Sequence, residues 1–82
     1  MAKVFQVGIY SCDQTLYEGE AASLMAPSEL GYMEILADHA PIVAKLTAGK
    51  ITIRARDGNT SVINSSSGAF LQVLRNQATV LL

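Results

Sequence analysis

Lys50-Ile51-Thr52-Ile53-Arg54-Ala55-Arg56-Asp57-Gly58-Asn59-Thr60-Ser61-Val62-Ile63-Asn64 decides the fold class of this 82-residue chain. From Lys50 to Arg56 apolar and polar residues alternate: Ile51, Ile53 and Ala55 fall on one side, Lys50, Thr52, Arg54 and Arg56 on the other. A period of two marks a half-buried strand. Asp57-Gly58 follows, and glycine accepts the positive φ that a tight primed hairpin turn demands. Thr60 to Asn64 is then the predicted return strand.

Working outward, the same pattern recurs. Upstream, Thr47-Ala48-Gly49 reads as a turn and Ile42 to Leu46 as an apolar strand with one lysine. Tyr32 to Leu36 alternates, with Met33 and Ile35 on one side. Ala21 to Ala26 is a strand of small residues with Leu24 and Met25 as its bulk, broken by Pro27-Ser28-Glu29 because proline cannot donate to a ladder. Leu16-Tyr17 is a short strand closed by Glu18-Gly19-Glu20. Residues 4–11 alternate with Phe5, Val7 and Ile9 inward, and Ser11 to Gln14 turns. Downstream, Ser65-Ser66-Ser67-Gly68 is a polar break, Ala69 to Leu74 a strand, Arg75-Asn76-Gln77 a turn, and Ala78 to Leu82 the last strand. No segment sustains a helical period over three turns. Many short strands with close turns predict an all-β sandwich or barrel in one domain, residues 1–82.

Composition narrows the function classes. Half the residues are hydrophobic, which suffices for a core, but only 16% are charged, against about 25% in average usage. Part of the uncharged surface is therefore expected to be covered by a partner. Lys45, Lys50, Arg54 and Arg56 are the basic concentration, expected along one hairpin face. With six Lys and Arg against seven Asp and Glu and no Trp, that face reads as solvated sheet rather than a nucleic-acid site. Cys12 is alone, so neither an internal disulfide nor a cysteine-rich metal site is available. No apolar run approaches the roughly 20 residues of a membrane-spanning helix. Met1-Ala2-Lys3 runs straight into an alternating strand and does not resemble a signal or transit peptide. The expectation is a cytosolic or membrane-associated bacterial protein.

The chemically mixed stretch is Gly31 to Pro41, Gly-Tyr-Met-Glu-Ile-Leu-Ala-Asp-His-Ala-Pro, which holds the single histidine. On a scaffold of strands, function concentrates in such irregular segments. Asp38 and His39 could join a serine of 65–67 in a hydrolase triad, but no Gly-x-Ser-x-Gly elbow is present. His39 with Asp38, Glu34 and Glu29 matches no usual metal-ligand spacing. Ser65-Ser66-Ser67-Gly68 lacks the frame of a phosphate loop. Lys50, next to Gly49, could carry a lipoyl or biotinyl group at a hairpin tip, although the acidic residues and methionines of such sites do not flank it. The reading from residues alone is a turn or contact surface around a hydrogen-bonded His39, with no cofactor and no metal.

Asp38-His39-Ala40-Pro41, followed by Ile42-Val43-Ala44-Lys45-Leu46 and Gly49-Lys50-Ile51, resembles the N-terminal domain of the epsilon subunit family of F-type ATP synthases, called delta in mitochondria. A second match runs through Gly68-Ala69-Phe70-Leu71-Gln72-Val73 and Ala78-Thr79-Val80-Leu81. A third covers Phe5 to Ser11 and Leu16-Tyr17-Glu18-Gly19. Three positions depart from the pattern: Glu34, Asp38 and Ala69 stand where glycine is usual. The family also continues into a two-helix hairpin that this sequence lacks.

The resemblance implies a flattened β-sandwich of about ten short, mostly antiparallel strands. It implies a non-catalytic rotor subunit that links the gamma subunit to the ring of c subunits and so couples proton flow to ATP synthesis. The implied gamma contacts are Asp38, His39, Ala40, Pro41, Ile42 and Val43, and the implied c-ring contacts are Ser28, Glu29, Leu30, Gly31 and Tyr32. It further implies no cofactor, no nucleic-acid partner, and a peripheral place on the cytoplasmic face of the bacterial inner membrane, held through the complex alone. A small carrier domain modified on Lys50 is the alternative.

Overall fold

Nine strands account for most of residues 3–82, the part of the chain that the structure, a computed structural model, describes. The reading that no leader begins at Met1-Ala2 lies outside the described residues. In chain order the strands are β1 (Phe5–Tyr10), β2 (Thr15–Ala21), β3 (Ser23–Ser28), β4 (Gly31–Leu36), β5 (Ile42–Lys45), β6 (Gly49–Arg54), β7 (Thr60–Ser65), β8 (Phe70–Leu74) and β9 (Gln77–Leu81).

They form two sheets, ordered β2-β1-β9-β8-β5 and β4-β3-β6-β7. Every pairing is antiparallel except β1 with β9. The architecture is thus a sandwich, not a closed barrel. Inward residues of both sheets make one core: Val7 and Ile9 meet Leu71 and Val80 in the first sheet, and Leu24, Ile35, Ile51 and Ile53 face them from the second, all essentially inaccessible. Burying each such side chain contributes about 1.5–3 kcal/mol relative to leaving it in water. Alternation along the strands therefore selects the sandwich, since any one-residue slip would carry these side chains to the solvent face.

Several local expectations are corrected. Lys45, Lys50, Arg54 and Arg56 do not share a hairpin face: Lys45 lies in β5 of the five-stranded sheet, Lys50 and Arg54 lie in β6 of the other, and Arg56 lies beyond β6 beside Glu20, at 3.4 Å. Alternation fixes parity within a strand but not which sheet a strand joins. Glu18-Gly19-Glu20 does not close a strand; β2 runs through it, because Glu18 and Glu20 point to solvent. Pro27 lies inside β3. Its carbonyl accepts from Thr47 N–H at 3.0 Å, so residue 27 turns its polar groups away from β4. The missing N–H falls beyond the β3–β6 ladder, whose pairs run only from Ser23↔Arg54 to Met25↔Thr52, where proline is tolerated. Ser65 belongs to β7 and is buried.

The expected two-residue primed turn at Asp57-Gly58 is a three-residue loop. Ala55 N–H donates to Asn59 C=O at 2.8 Å and Gly58 N–H to Ala55 C=O at 3.0 Å, and φ is positive at Gly58 but not at Asp57. A primed turn of type I′ needs both. Asp57 instead accepts Asn59 N–H on its side chain at 3.0 Å, which holds an ordinary turn. The two-residue turn with both φ positive is Arg75-Asn76, at 52° and 59°, between β8 and β9.

Candidate functional site

Two stretches of the sequence-predicted surface lie on consecutive connections. Ser28 ends β3 and pairs with Gly31, so Glu29-Leu30 forms the tip of the β3–β4 hairpin. Ser28 Oγ donates to Gly31 C=O at 2.6 Å and locks that tip. Leu30 is fully exposed at 102% relative accessibility, an apolar side chain held out into solvent by a tight turn. Tyr32 is committed in part to the fold: its hydroxyl accepts Lys50 N–H at 3.2 Å, while the Pro27 carbonyl is taken by Thr47 N–H. A Cβ on Gly49 would fall 2.9 Å from that hydroxyl and 3.0 Å from Pro27, so the glycine leaves room for this crossing.

The second stretch, Ala37 to Pro41, carries the chain from the four-stranded sheet to β5 in the other. Asp38 is left-handed, with φ 64°, an unusual state for a residue with a side chain. Two groups hold it there. Asn76 Oδ1 accepts Asp38 N–H at 2.6 Å, and Lys3 Nζ donates to Asp38 Oδ2 at 3.0 Å. The Lys3 hydrogen bond, followed by its charge, lowers the Asp38 pKa below the ordinary aspartate value. His39 N–H donates to Leu36 C=O at 3.3 Å. The His39 ring places Nδ1 2.7 Å from Ala40 C=O. A carbonyl only accepts, so Nδ1 carries the hydrogen and Nε2 remains available to a partner.

Around this turn lies a shallow depression of about 660 Å³, walled by Asp38 to Pro41 on one side and Leu74, Arg75 and Asn76 on the other. No serine lines it, so the chain does not assemble Asp38, His39 and a serine of 65–67 there. A second depression of about 290 Å³ lies between the hairpin tip at Ser28 to Leu30 and the start of β5 at Ile42 and Ala44. Of the Asp38 to Val43 stretch only Ile42 reaches this second depression; the His39 turn lines the first one, at the other end of β4. Within β5 alternation divides the last two residues: Ile42 packs on the core, and Val43 stands 71% exposed. Among the described residues no group of three or more His, Cys, Asp and Glu converges to hold a metal. Lys50 lies within β6 opposite Asn64, not at the apex of a hairpin.

Sequence reasoning missed Lys3, Leu74, Arg75 and Asn76 as parts of the His39 surface. An asparagine in a tight turn was legible, but nothing local couples residue 76 to residue 38.

The departures at glycine positions now have a structural account. Glu34 sits on the solvent face of β4 opposite Met25, where a side chain has room. Ala69 is buried without positive φ, which falls on Gly68 instead. Asp38 keeps the left-handed geometry that a glycine would adopt freely, with Asn76 and Lys3 as its supports.

Fold and surface together define a small two-sheet β-sandwich that presents a hairpin tip and a braced histidine turn at neighbouring connections. The chain belongs to the family described as ATP synthase, Delta/Epsilon chain, beta-sandwich domain, whose model matches residues 4–82. It is 37% identical over 81 residues to an ATP synthase epsilon chain of Dichelobacter nodosus, covering 99% of this chain and 56% of that protein. It is 35% identical over 80 residues to the epsilon chain of Leptospira interrogans, covering 98% and 61%. The chain therefore spans just over half the length of these curated relatives.

Among solved structures, a chain of the Euglena gracilis mitochondrial ATP synthase superposes with a TM-score of 0.86 at 19% identity, over 99% of this chain and 51% of that one. A chain from the central stalk and c-ring of the Tetrahymena thermophila mitochondrial ATP synthase superposes with a TM-score of 0.75 at 13% identity, over 93% and 60%. At these identities the likeness concerns the fold.

Proposed function

We propose that this domain works as a non-catalytic coupling element of a proton-translocating F-type ATP synthase, seated on the central stalk between the gamma subunit and the c-ring. The braced turn Asp38-His39-Ala40-Pro41 with Ile42-Val43 faces gamma. The hairpin tip Ser28-Glu29-Leu30-Gly31-Tyr32 faces the c-ring. The complex holds the domain peripherally at the cytoplasmic face of the bacterial inner membrane.

The observation that carries the reading is the pairing of the family match over residues 4–82 with two rigidly held, solvent-facing turns on adjacent connections. Torque transmission needs a body that does not deform under load. A sandwich with one continuous core offers that, because interiors packed at crystal-like density have low compressibility. Recognition then falls to turns whose backbone is fixed before the partner arrives, so that little ordering cost is added on binding. His39 Nε2 and Val43 supply one polar and one apolar contact to gamma. Leu30 supplies an apolar anchor to the c-ring.

Affinity purification of the tagged protein from its native membrane tests this. Gamma and c subunits are expected in the eluate. Recovery of neither, from membranes in which the tagged protein is present, overturns the assignment.

A further inference from the structure

The two sheets have four edge strands, and three of them carry features that discourage pairing with another chain. β2 presents Glu18 and Glu20, and its register with β1 shifts at Ile9/Tyr10. β4 carries Glu34. β5 is four residues long, follows Pro41 and ends in Lys45. β7, Thr60-Ser61-Val62-Ile63-Asn64-Ser65, has no charge, no proline and no register shift over six residues.

Its open backbone groups can be identified. The hydrogen bond from Ala55 to Asn59 fixes the phase of the β6–β7 ladder, and bonded pairs alternate from there. Ile53↔Ser61 and Ile51↔Ile63 are bonded pairs; Arg54↔Thr60, Thr52↔Val62 and Lys50↔Asn64 are not. The other side of β6 agrees, since Arg54 C=O accepts from Ala22 N–H and Lys50 N–H donates to Tyr32, both towards β3. Thr60, Val62 and Asn64 therefore aim their N–H and C=O groups out of the sheet.

We infer that β7 is a self-pairing edge, and that its occupant in the free protein is β7 of a second copy of this chain. An antiparallel two-fold centred on Val62 sets Val62 opposite its counterpart and Thr60 opposite Asn64 of the second copy. Every outward N–H and C=O of these three residues is then used. The valines meet on the outer face, where Val62 is 54% exposed, and continue a row through Thr52 to Met25. Threonine faces asparagine, a pair able to hydrogen-bond across strands.

Charge permits this register. The nearest charged side chains on the face are Lys50 and Arg54, one strand inside the edge. Lys50 of one copy and Arg54 of the other are separated by three strand spacings, about 14 Å, beyond a Debye length of about 8 Å at physiological salt. The result is a continuous sheet across two copies, with Ile63 shielded beneath the junction. Any extended segment can satisfy an open edge, but this strand also matches itself side chain to side chain.

Sedimentation velocity of the free chain over a concentration series, with residue-resolved amide exchange, tests the inference. A dimer should grow with concentration. Amide exchange at Thr60, Val62 and Asn64 should slow with it, while Ser61 and Ile63, already bonded to β6, should not change. Val62→Lys, which sets two charges together at the two-fold in place of an apolar pair, should weaken association about threefold or more with thermal unfolding preserved; Val62→Thr should leave the dimer intact. A monomer at every concentration overturns the inference, as does a dimer indifferent to Val62→Lys. Protection of the same amides only after gamma is added also overturns it, and assigns the edge to gamma.

Discussion

Replacing Asn76 separates the two parts of the brace behind the histidine turn. Asn76 is itself left-handed, at φ 59°, and its Oδ1 accepts the N–H of left-handed Asp38 at 2.6 Å. Asn76→Ala removes the hydrogen bond, a net loss of about 0.5–1.5 kcal/mol. It also places alanine in a conformation that costs an ordinary L-residue about 1–2 kcal/mol. The total is about 2 kcal/mol, reduced to the extent that Asp38 N–H finds water. In a domain this size each kcal/mol moves Tm by about 4–8 °C, so Asn76→Ala should lower Tm by about 10 °C. Asn76→Gly loses the same bond without the conformational cost, and its loss should be about half. Two-state thermal unfolding at neutral pH measures both. Equal losses for alanine and glycine, or an alanine variant within about 0.5 kcal/mol of the parent, would mean that Asn76 does not brace Asp38.

The remaining predictions concern single side chains. Asp38→Gly relieves the left-handed strain and loses only a solvent-screened surface ion pair with Lys3; its Tm should match or slightly exceed the parent's, whereas Asp38→Ala should lower it. The folded-state Asp38 pKa is lowered by Lys3, so the brace contributes stability above the ordinary aspartate pKa and loses it as pH falls through the folded value. Lys3→Ala should therefore lower stability at neutral pH and leave it unchanged in strong acid, as a pH series of unfolding curves will show. Gly8 lies beneath the Tyr10 ring, where a Cβ would come within 2.7 Å of ring carbons. Gly8→Ala should swing that half-exposed ring aside with little change in Tm, and return the Tyr10 pKa, raised first by its hydrogen bond to Glu18, to the ordinary phenol value in an ultraviolet titration. His39→Glu should weaken gamma binding while Tm stays nearly constant; an equal loss of both would make His39 a structural residue.

The strand pattern was legible because alternation of Ile51, Ile53 and their neighbours is a local property that burial enforces. Sheet membership was not, since Lys45 and Lys50 are five residues apart and lie in different sheets. Pro27 was misread as a breaker because its compatibility with β3 depends on which neighbour its missing N–H would have met. Asp57-Gly58 was legible as a turn but not as a three-residue one, because an Asp side chain bonded to Asn59 competes with positive φ. The candidate turns were legible in chain order. Their support was not: the contacts of Asp38 with Asn76 and Lys3, and of Tyr32 with Lys50, are long-range and arise only once the sandwich closes.

Site-specific photocrosslinking identifies what each turn touches, with one probe at residue 39 and another at residue 30 of the protein assembled in its native membrane. The probe at 39 is expected to capture gamma and the probe at 30 a c subunit. Both probes capturing the same subunit, or neither capturing any stalk component, would contradict that arrangement.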